Sequence, residues 1–91
     1  MIWKEFIENQ LYELSYKYKL PYNWFNHMIR EYNNIYDCYI NEIVSKEFFI
    51  EILLVILNNF KNKGKQVITE YKIYNSYEKK IKEIEDYINK T

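Results

Sequence analysis

One apolar stretch, residues 48–57, limits the folds open to this 91-residue chain more than any other feature. Every residue in it except Glu51 is apolar, but it is far shorter than the ~20 residues that span a bilayer. Ser45, with Glu47 two residues later, is typical of a helix N-cap with an acidic first turn. We therefore predict a helix over about 46–61 that needs cover on most sides and lies at the centre of the fold. A buried strand is the alternative, but the cap and the length favour a helix.

Two further segments, residues 2–19 and 22–44, carry apolar side chains at helical spacing, and Pro21 separates them. The second segment keeps its phase through Asn33 and Asn34. We therefore predict one long helix, with two helices joined at this asparagine pair as the alternative. The stripe of the first helix consists of Trp3, Phe6, Ile7, Leu11, Leu14 and Tyr18. The stripe of the second consists of Trp24, Phe25, Met28, Ile29, Tyr32, Ile35, Tyr36, Tyr39, Ile40 and Ile43.

The residues that follow the apolar helix predict a helix end, a connection and a last helix. Gly64 lies among lysines, which is typical of a left-handed helix C-cap. Residues 66–73 alternate between polar and apolar, a pattern that fits a short strand, an extended segment or a helical turn. Residues 75–78 resemble a capping box and predict the start of the last helix. Its stripe consists of Tyr77, Ile81, Ile84 and Ile88.

These patterns predict an all-α fold with a single domain over residues 1–91. The domain is a small bundle of three or four helices around the central apolar helix. A short extended segment near 66–73 is the one non-helical element that the pattern allows. The length suits one domain, and a composition of 48% hydrophobic and 29% charged residues is too apolar for a disordered chain.

The composition argues against catalysis, because it nearly lacks the residues from which most chemical sites are built. The lone Gly64 excludes a glycine-rich phosphate loop. The lone His27 and the lone Cys38 are eleven positions apart on one predicted helix, so ~16 Å separates them and they cannot share a metal ion. A nucleophile would have no base beside it. We expect no enzyme activity, no catalytic residues, no cofactor and no metal.

The cysteine count and the first residues of the chain predict the compartment. One cysteine excludes an internal disulfide and fits a reducing cytoplasm. Residues 1–8 carry acidic side chains where an export signal needs an apolar core. We therefore expect a cytoplasmic protein that does not work at a membrane.

Tyrosines on the polar side of the first helix are the strongest functional signal. Aromatic residues make up 20% of the chain, more than a core of this size can hold. Tyr12 and Tyr16 are one turn apart and lie opposite the apolar stripe, in the company of Glu5, Glu8 and Lys19. Tyrosine offers a large contact area at low entropy cost and is enriched at interfaces. The alternative is that both rings pack against another part of the chain.

We therefore predict a non-catalytic module that binds a protein partner, whose identity the sequence does not give, and occludes its site. Small inhibitor, immunity and anti-defence proteins act in this way. The most frequent residue types, Ile, Lys, Asn, Tyr and Phe, have A/T-rich codons. The predicted source is therefore a phage, a plasmid or an AT-rich bacterium.

Two other functions stay open from the sequence. A small DNA-binding regulator of helix-turn-helix or winged-helix type would use the region 61–65, with a wing near 62–74. Its candidate contacts are Lys61, Lys63, Lys65, Lys79 and Lys80. A net charge of +0 and a single arginine, Arg30, weaken this alternative, because phosphate attraction would rest on local patches. The other is a homodimer through helix 22–44, whose stripe is wider than one neighbouring helix would cover.

Overall fold

The computed structural model describes the backbone of residues 2–90 and the side chains of residues 4–90. Within that range the chain forms four helices and no strand. They are α1 (Ile2–Tyr18), α2 (Tyr22–Ile40), α3 (Lys46–Val67) and α4 (Tyr71–Asn89). The predicted all-α bundle is therefore confirmed.

Each helix runs antiparallel to the helices beside it. Tyr32, in the second half of α2, donates a hydrogen bond to the Lys4 carbonyl at the start of α1, at 2.9 Å. Trp24, at the start of α2, meets Phe60 near the end of α3, with ring centroids 4.9 Å apart. The connections between consecutive helices are three to five residues long, and connections this short favour antiparallel neighbours.

The fourth helix closes the ring of helices by packing against both α3 and α1. The ring of Tyr77 lies on Gly64 of α3. Its neighbour Ser76 shares a hydrogen bond of 2.8 Å with the Tyr18 hydroxyl at the end of α1. The helices α1 and α3 therefore occupy opposite corners of the bundle, as do α2 and α4.

All four helices contribute their predicted stripes to one core. The buried members are Ile7, Leu11, Leu14, Tyr18, Phe25, Met28, Ile29, Tyr32, Tyr36, Phe49, Leu53, Ile56, Leu57, Phe60, Tyr77, Ile81, Ile84 and Ile88, with Leu20 from a connection. Three predicted stripe residues lie outside the core. Phe6 is 37% exposed and lies at the rim, 4.3 Å from the Tyr87 ring. Ile40, at the end of α2, is 51% exposed, and Ile43, in the connection after it, is 71% exposed. The side chain of Trp3 lies outside the described residues.

The second helix is continuous through the asparagine pair, as predicted, but it ends at Ile40 rather than near residue 44. The backbone N–H of Ile43 bonds to the Cys38 carbonyl at 2.8 Å. Glu42 takes a left-handed conformation with φ of 60°. Together these features form a Schellman motif, which satisfies the last carbonyls and turns the chain away from the helix axis.

The first helix ends in the same way. Lys19 is left-handed, with φ of 55°, and the N–H of Leu20 bonds to the Ser15 carbonyl at 3.1 Å. Glycine is the usual residue at this position, because a side chain makes the left-handed region costly. Here lysine and glutamate take that place instead.

The boundary between α3 and α4 differs from the prediction. Gly64 does not end α3: its φ is not positive, and the helix continues to Val67. The predicted capping box at residues 75–78 lies inside α4, which begins at Tyr71. The extended segment expected near 66–73 is therefore confined to residues 68–70. The position of Gly64 explains why α3 does not end there. The Tyr77 ring of α4 packs directly on Gly64, so this glycine lies in the contact between two helices and not in a turn.

The start of α3 is as predicted, but its cover is not complete. The Phe48 N–H donates to the Ser45 hydroxyl at 3.1 Å, which confirms the N-cap. On the core side the helix is fully buried against α2 and α4. On the outer side Phe48 is 44% and Val55 50% exposed. An apolar strip on α3 is thus left open to water.

Candidate functional site

The predicted partner-binding residues lie together on the outer side of α1. Glu5, Glu8, Tyr12 and Tyr16 follow one another at helical spacing, and Lys19 comes just after the helix end. All are exposed except Glu8, which is half-buried. We call these five residues the tyrosine face. They point away from the core because the buried residues of α1 occupy the opposite side of the helix.

The two tyrosines of this face are not equivalent. Tyr16 is 90% exposed and makes no aromatic ring contact among the described residues. Tyr12 is 48% exposed, and its ring lies edge-on to Phe25 of α2, with centroids 5.1 Å apart. The prediction of an exposed pair therefore holds fully for Tyr16. Tyr12 is only partly available to a partner, because about half of its side chain is covered by other residues of the same chain, Phe25 among them.

A third exposed tyrosine lies at the start of α2, the helix that Tyr12 contacts. Tyr22 is 76% exposed at the start of that helix. It lies about one turn before Phe25, the residue that Tyr12 contacts. The sequence analysis did not predict Tyr22 as a contact. Tyr22 is not part of the apolar stripe of α2, and a large aromatic residue outside the stripe is expected to be exposed.

Charges are graded along the tyrosine face. Glu5 and Glu8 of this face lie toward the start of α1, and Lys19 follows its end; Lys17, outside the face, adds a second cation in the last turn. This order is favourable for the helix, since acids near the N-terminus and cations near the C-terminus complement its dipole. Lys17 also lies over the Tyr18 ring, 5.5 Å from the centroid. A partner would therefore meet an acidic end, an aromatic middle and a basic end.

A shallow groove borders the tyrosine face at Lys19. It has a volume of about 380 Å³ and lies between the end of α1 and the connection 68–70. Ile68 and Ile73 supply apolar lining, and Lys17 joins Lys19 on one side. The groove is open to solvent.

The lysines of the alternative DNA-binding hypothesis contact different neighbours. Lys61 is 3.9 Å from Glu78 on α4. Lys63 lies over the Trp24 ring of α2, 5.5 Å from its centroid. The structure therefore does not gather these two lysines into one free patch.

The remaining lysines of that set are also dispersed. Lys80 is 3.9 Å from Glu83 in its own helix. Lys65 and Lys79 are exposed on two different helices. The wing predicted near 62–74 is wrong, because residues in that range are helical except for 68–70.

The part of the chain that the structure describes contains no group of three or more His, Cys, Asp or Glu side chains placed to hold a metal ion. His27 instead lies 3.5 Å from Glu31, and both side chains are exposed. Cys38 is a free, half-buried thiol. Over residues 2–90, no helix combines the length and the apolar character needed to cross a bilayer.

No protein family model, no curated protein and no solved structure matches this chain. Its function is therefore inferred from its own surface.

Proposed function

We propose that this chain is a non-catalytic protein-binding module that covers a partner protein with the tyrosine face, extended by Tyr22. The observation that supports this most directly is the 90% exposure of Tyr16. Tyr22, 76% exposed at the start of the neighbouring helix, and the outer half of Tyr12 are the other tyrosine surfaces that we assign to this interface. Tyrosine rings lose little conformational entropy on binding and are enriched among the residues that dominate interface energies.

The mode of action that fits this surface is occlusion. The tyrosine face lies on the outer side of a helix in a packed four-helix bundle, so its backbone is ordered before it meets a partner. Contact between Tyr12 and Phe25 holds one of its rings in place before binding. We therefore assign the chain to the class of small inhibitor, immunity or anti-defence proteins.

The chemistry of the partner follows from the charge gradient. Glu5 and Glu8 require basic groups opposite the start of α1, and Lys19 requires an acidic group opposite its end. The codon bias of the sequence favours a phage, a plasmid or an AT-rich bacterium as the source. A free thiol at Cys38 is compatible with a reducing cytoplasm as the place of action.

Substitution of the two most exposed tyrosines tests the proposal. The partner is captured from a lysate of an AT-rich bacterium and identified, and its Kd is then measured for the wild type and for Tyr16→Ala and Tyr22→Ala. Each substitution is expected to raise the Kd by at least roughly tenfold, the effect of losing an interface anchor. Both side chains are exposed, so the circular dichroism spectrum should not change.

The matched control is Tyr71→Ala. Tyr71 is 77% exposed but belongs to α4, which has no part in the tyrosine face. Its loss should leave the Kd within about twofold of the wild type. Equal effects of all three substitutions would show that the partner does not bind the tyrosine face.

A further inference from the structure

The shallow groove between the end of α1 and the connection 68–70 combines an apolar lining with lysines. Val67 and Ile73, which line it, are 39% and 43% exposed, and Ile68 between them is half-buried. A neighbouring hollow of about 330 Å³ shares Ile73 with the groove. The lysines that line the groove and this hollow are Lys17, Lys19 and Lys72. Glu70 is the one acidic residue that lines them.

Charge is divided between the two halves of the bundle, although the chain as a whole has a net charge of +0. Because neighbouring helices are antiparallel, residues 11–30 and 57–79 form the half that holds the groove. This half carries eight Lys and Arg residues against three Asp and Glu residues. The other half, residues 4–10, 31–56 and 80–90, carries five against ten. The groove therefore favours an occupant with negative charge.

An exposed apolar side chain with acidic neighbours lies at the opposite end of the bundle. Ile43, in the connection between α2 and α3, is 71% exposed. Glu42, just before it, is exposed, and so is Glu47 in the first turn of α3. We call residues 41–45 the Ile43 turn. An isoleucine with carboxylates beside it is complementary, in apolar character and in charge, to a groove bordered by lysines.

We propose that the Ile43 turn of one copy of this chain binds in the groove of a second copy, head to tail. Ile43 then packs against Ile73, while Glu42 faces the amines of Lys17 and Lys72. One copy cannot supply both surfaces to itself, because the 22 residues of α3 lie between them and span ~33 Å. The occupant of the groove is therefore another molecule.

The charge distribution sets the direction of the contact. The acidic half of one copy attracts the basic half of the next, whereas two grooves or two Ile43 turns would bring like charges together. The contact joins two different surfaces, so each added copy leaves one groove and one turn free, and longer assemblies can grow. One turn in a shallow groove is smaller than a standard stable interface, so assembly requires micromolar or higher concentrations.

This contact goes beyond the proposed function and can be tested separately from it, because neither Tyr16 nor Tyr22 lines the groove. Sedimentation velocity from about 10 to 500 µM in about 50 mM NaCl measures the assembly. The wild type is expected to form dimers and then larger species as its concentration rises. In about 1 M NaCl, where charges are screened within about 3 Å, the association should weaken at least tenfold.

Two variants each remove one side of the contact. Ile43→Lys replaces the apolar side chain of the turn with a cation, and the double variant Lys17→Glu/Lys72→Glu reverses two charges of the groove. Each variant alone should stay monomeric over the whole range. An equimolar mixture should form a dimer and nothing larger, because it pairs one intact groove with one intact turn. All the substituted side chains are exposed, and circular dichroism checks that the helices are kept.

The matched controls are Val55→Lys and Lys79→Glu, which make the same kinds of change at exposed positions in the middle of α3 and α4. Both should assemble within about twofold of the wild type. A wild type that stays monomeric at 500 µM would overturn the proposal and leave the groove to a different molecule. A mixture that stays monomeric, or single variants that assemble like the wild type, would overturn the pairing of turn and groove.

Discussion

Gly64 lies inside α3, directly against the ring of Tyr77. Tyr77 has no exposed surface, and its hydroxyl donates a hydrogen bond to the Phe60 carbonyl. A Cβ atom on residue 64 would overlap the Cδ2 and Cε2 atoms of that ring. The only glycine of the chain therefore serves helix packing and not a turn.

Gly64→Ala is consequently expected to destabilise the fold. Alanine favours a helix by about 1 kcal/mol over glycine, but a displaced and fully buried tyrosine costs more. We expect a net loss of about 1–3 kcal/mol in the free energy of unfolding, measured with urea. Asn62→Ala, at an exposed position of the same helix, serves as the control and should gain a few tenths of a kcal/mol. A similar gain for Gly64→Ala would show that the contact with Tyr77 is loose.

The role of Gly64 could not be derived from the local sequence. A glycine that follows an apolar helix and lies among lysines is typical of a helix C-cap. That prediction uses only the residues next to the glycine in sequence. The residue that decides its role is Tyr77, thirteen positions later and on another helix. Contacts of this kind depend on how helices dock, which periodicity does not specify.

Helix starts and stops were predictable to different degrees. Ser45 caps α3 as its side chain predicts, since a serine hydroxyl is a direct acceptor for a free N–H. Lys19 and Glu42 end α1 and α2 in left-handed conformations that neither residue type signals. The buried stripes could be predicted because helical periodicity is a property of consecutive residues. The ends of α1 and α2 could not, because they depend on where the next helix packs.

Glu42→Gly tests the cost of such an end. With φ of 60°, Glu42 occupies a conformation that glycine adopts without steric penalty. We expect the substitution to raise the free energy of unfolding by about 0.5–1 kcal/mol. Glu13→Gly is the matched control: it makes the same change at an exposed interior position of α1 and should lower stability by about 1 kcal/mol. Loss of stability in both variants would mean that Glu42 makes a contact worth more than its strain.

At the scale of the whole molecule, the candidate site was predictable only in part. Tyr12 and Tyr16 follow from their position opposite the apolar stripe of α1. The contact between Tyr12 and Phe25 and the contribution of Tyr22 required the docking of α2. The same docking places α1 and α3 at opposite corners.

Two buried tyrosines make the free energy of unfolding depend on pH in the alkaline range. Tyr32 and Tyr77 have no exposed surface. Burial raises the pKa of both phenols well above the ordinary value, and Glu8 adds to the effect at Tyr32. An unfolded chain releases these two protons near pH 10, while the folded protein retains them. Rising pH therefore favours the unfolded state.

We expect stability to be independent of these groups below about pH 10 and to fall above it, by up to roughly 1.4 kcal/mol per pH unit for each tyrosine. Urea unfolding at a series of pH values from 8 to 11.5 measures this slope. Tyr77→Phe should reduce the slope by up to roughly 1.4 kcal/mol per pH unit. It also loses about 1 kcal/mol at pH 8 with the hydrogen bond to the Phe60 carbonyl. Tyr16→Phe is the control: it makes the same change at a tyrosine that is 90% exposed, and it should leave the slope unchanged. An unaltered slope in Tyr77→Phe would show that this phenol reaches water in the folded protein.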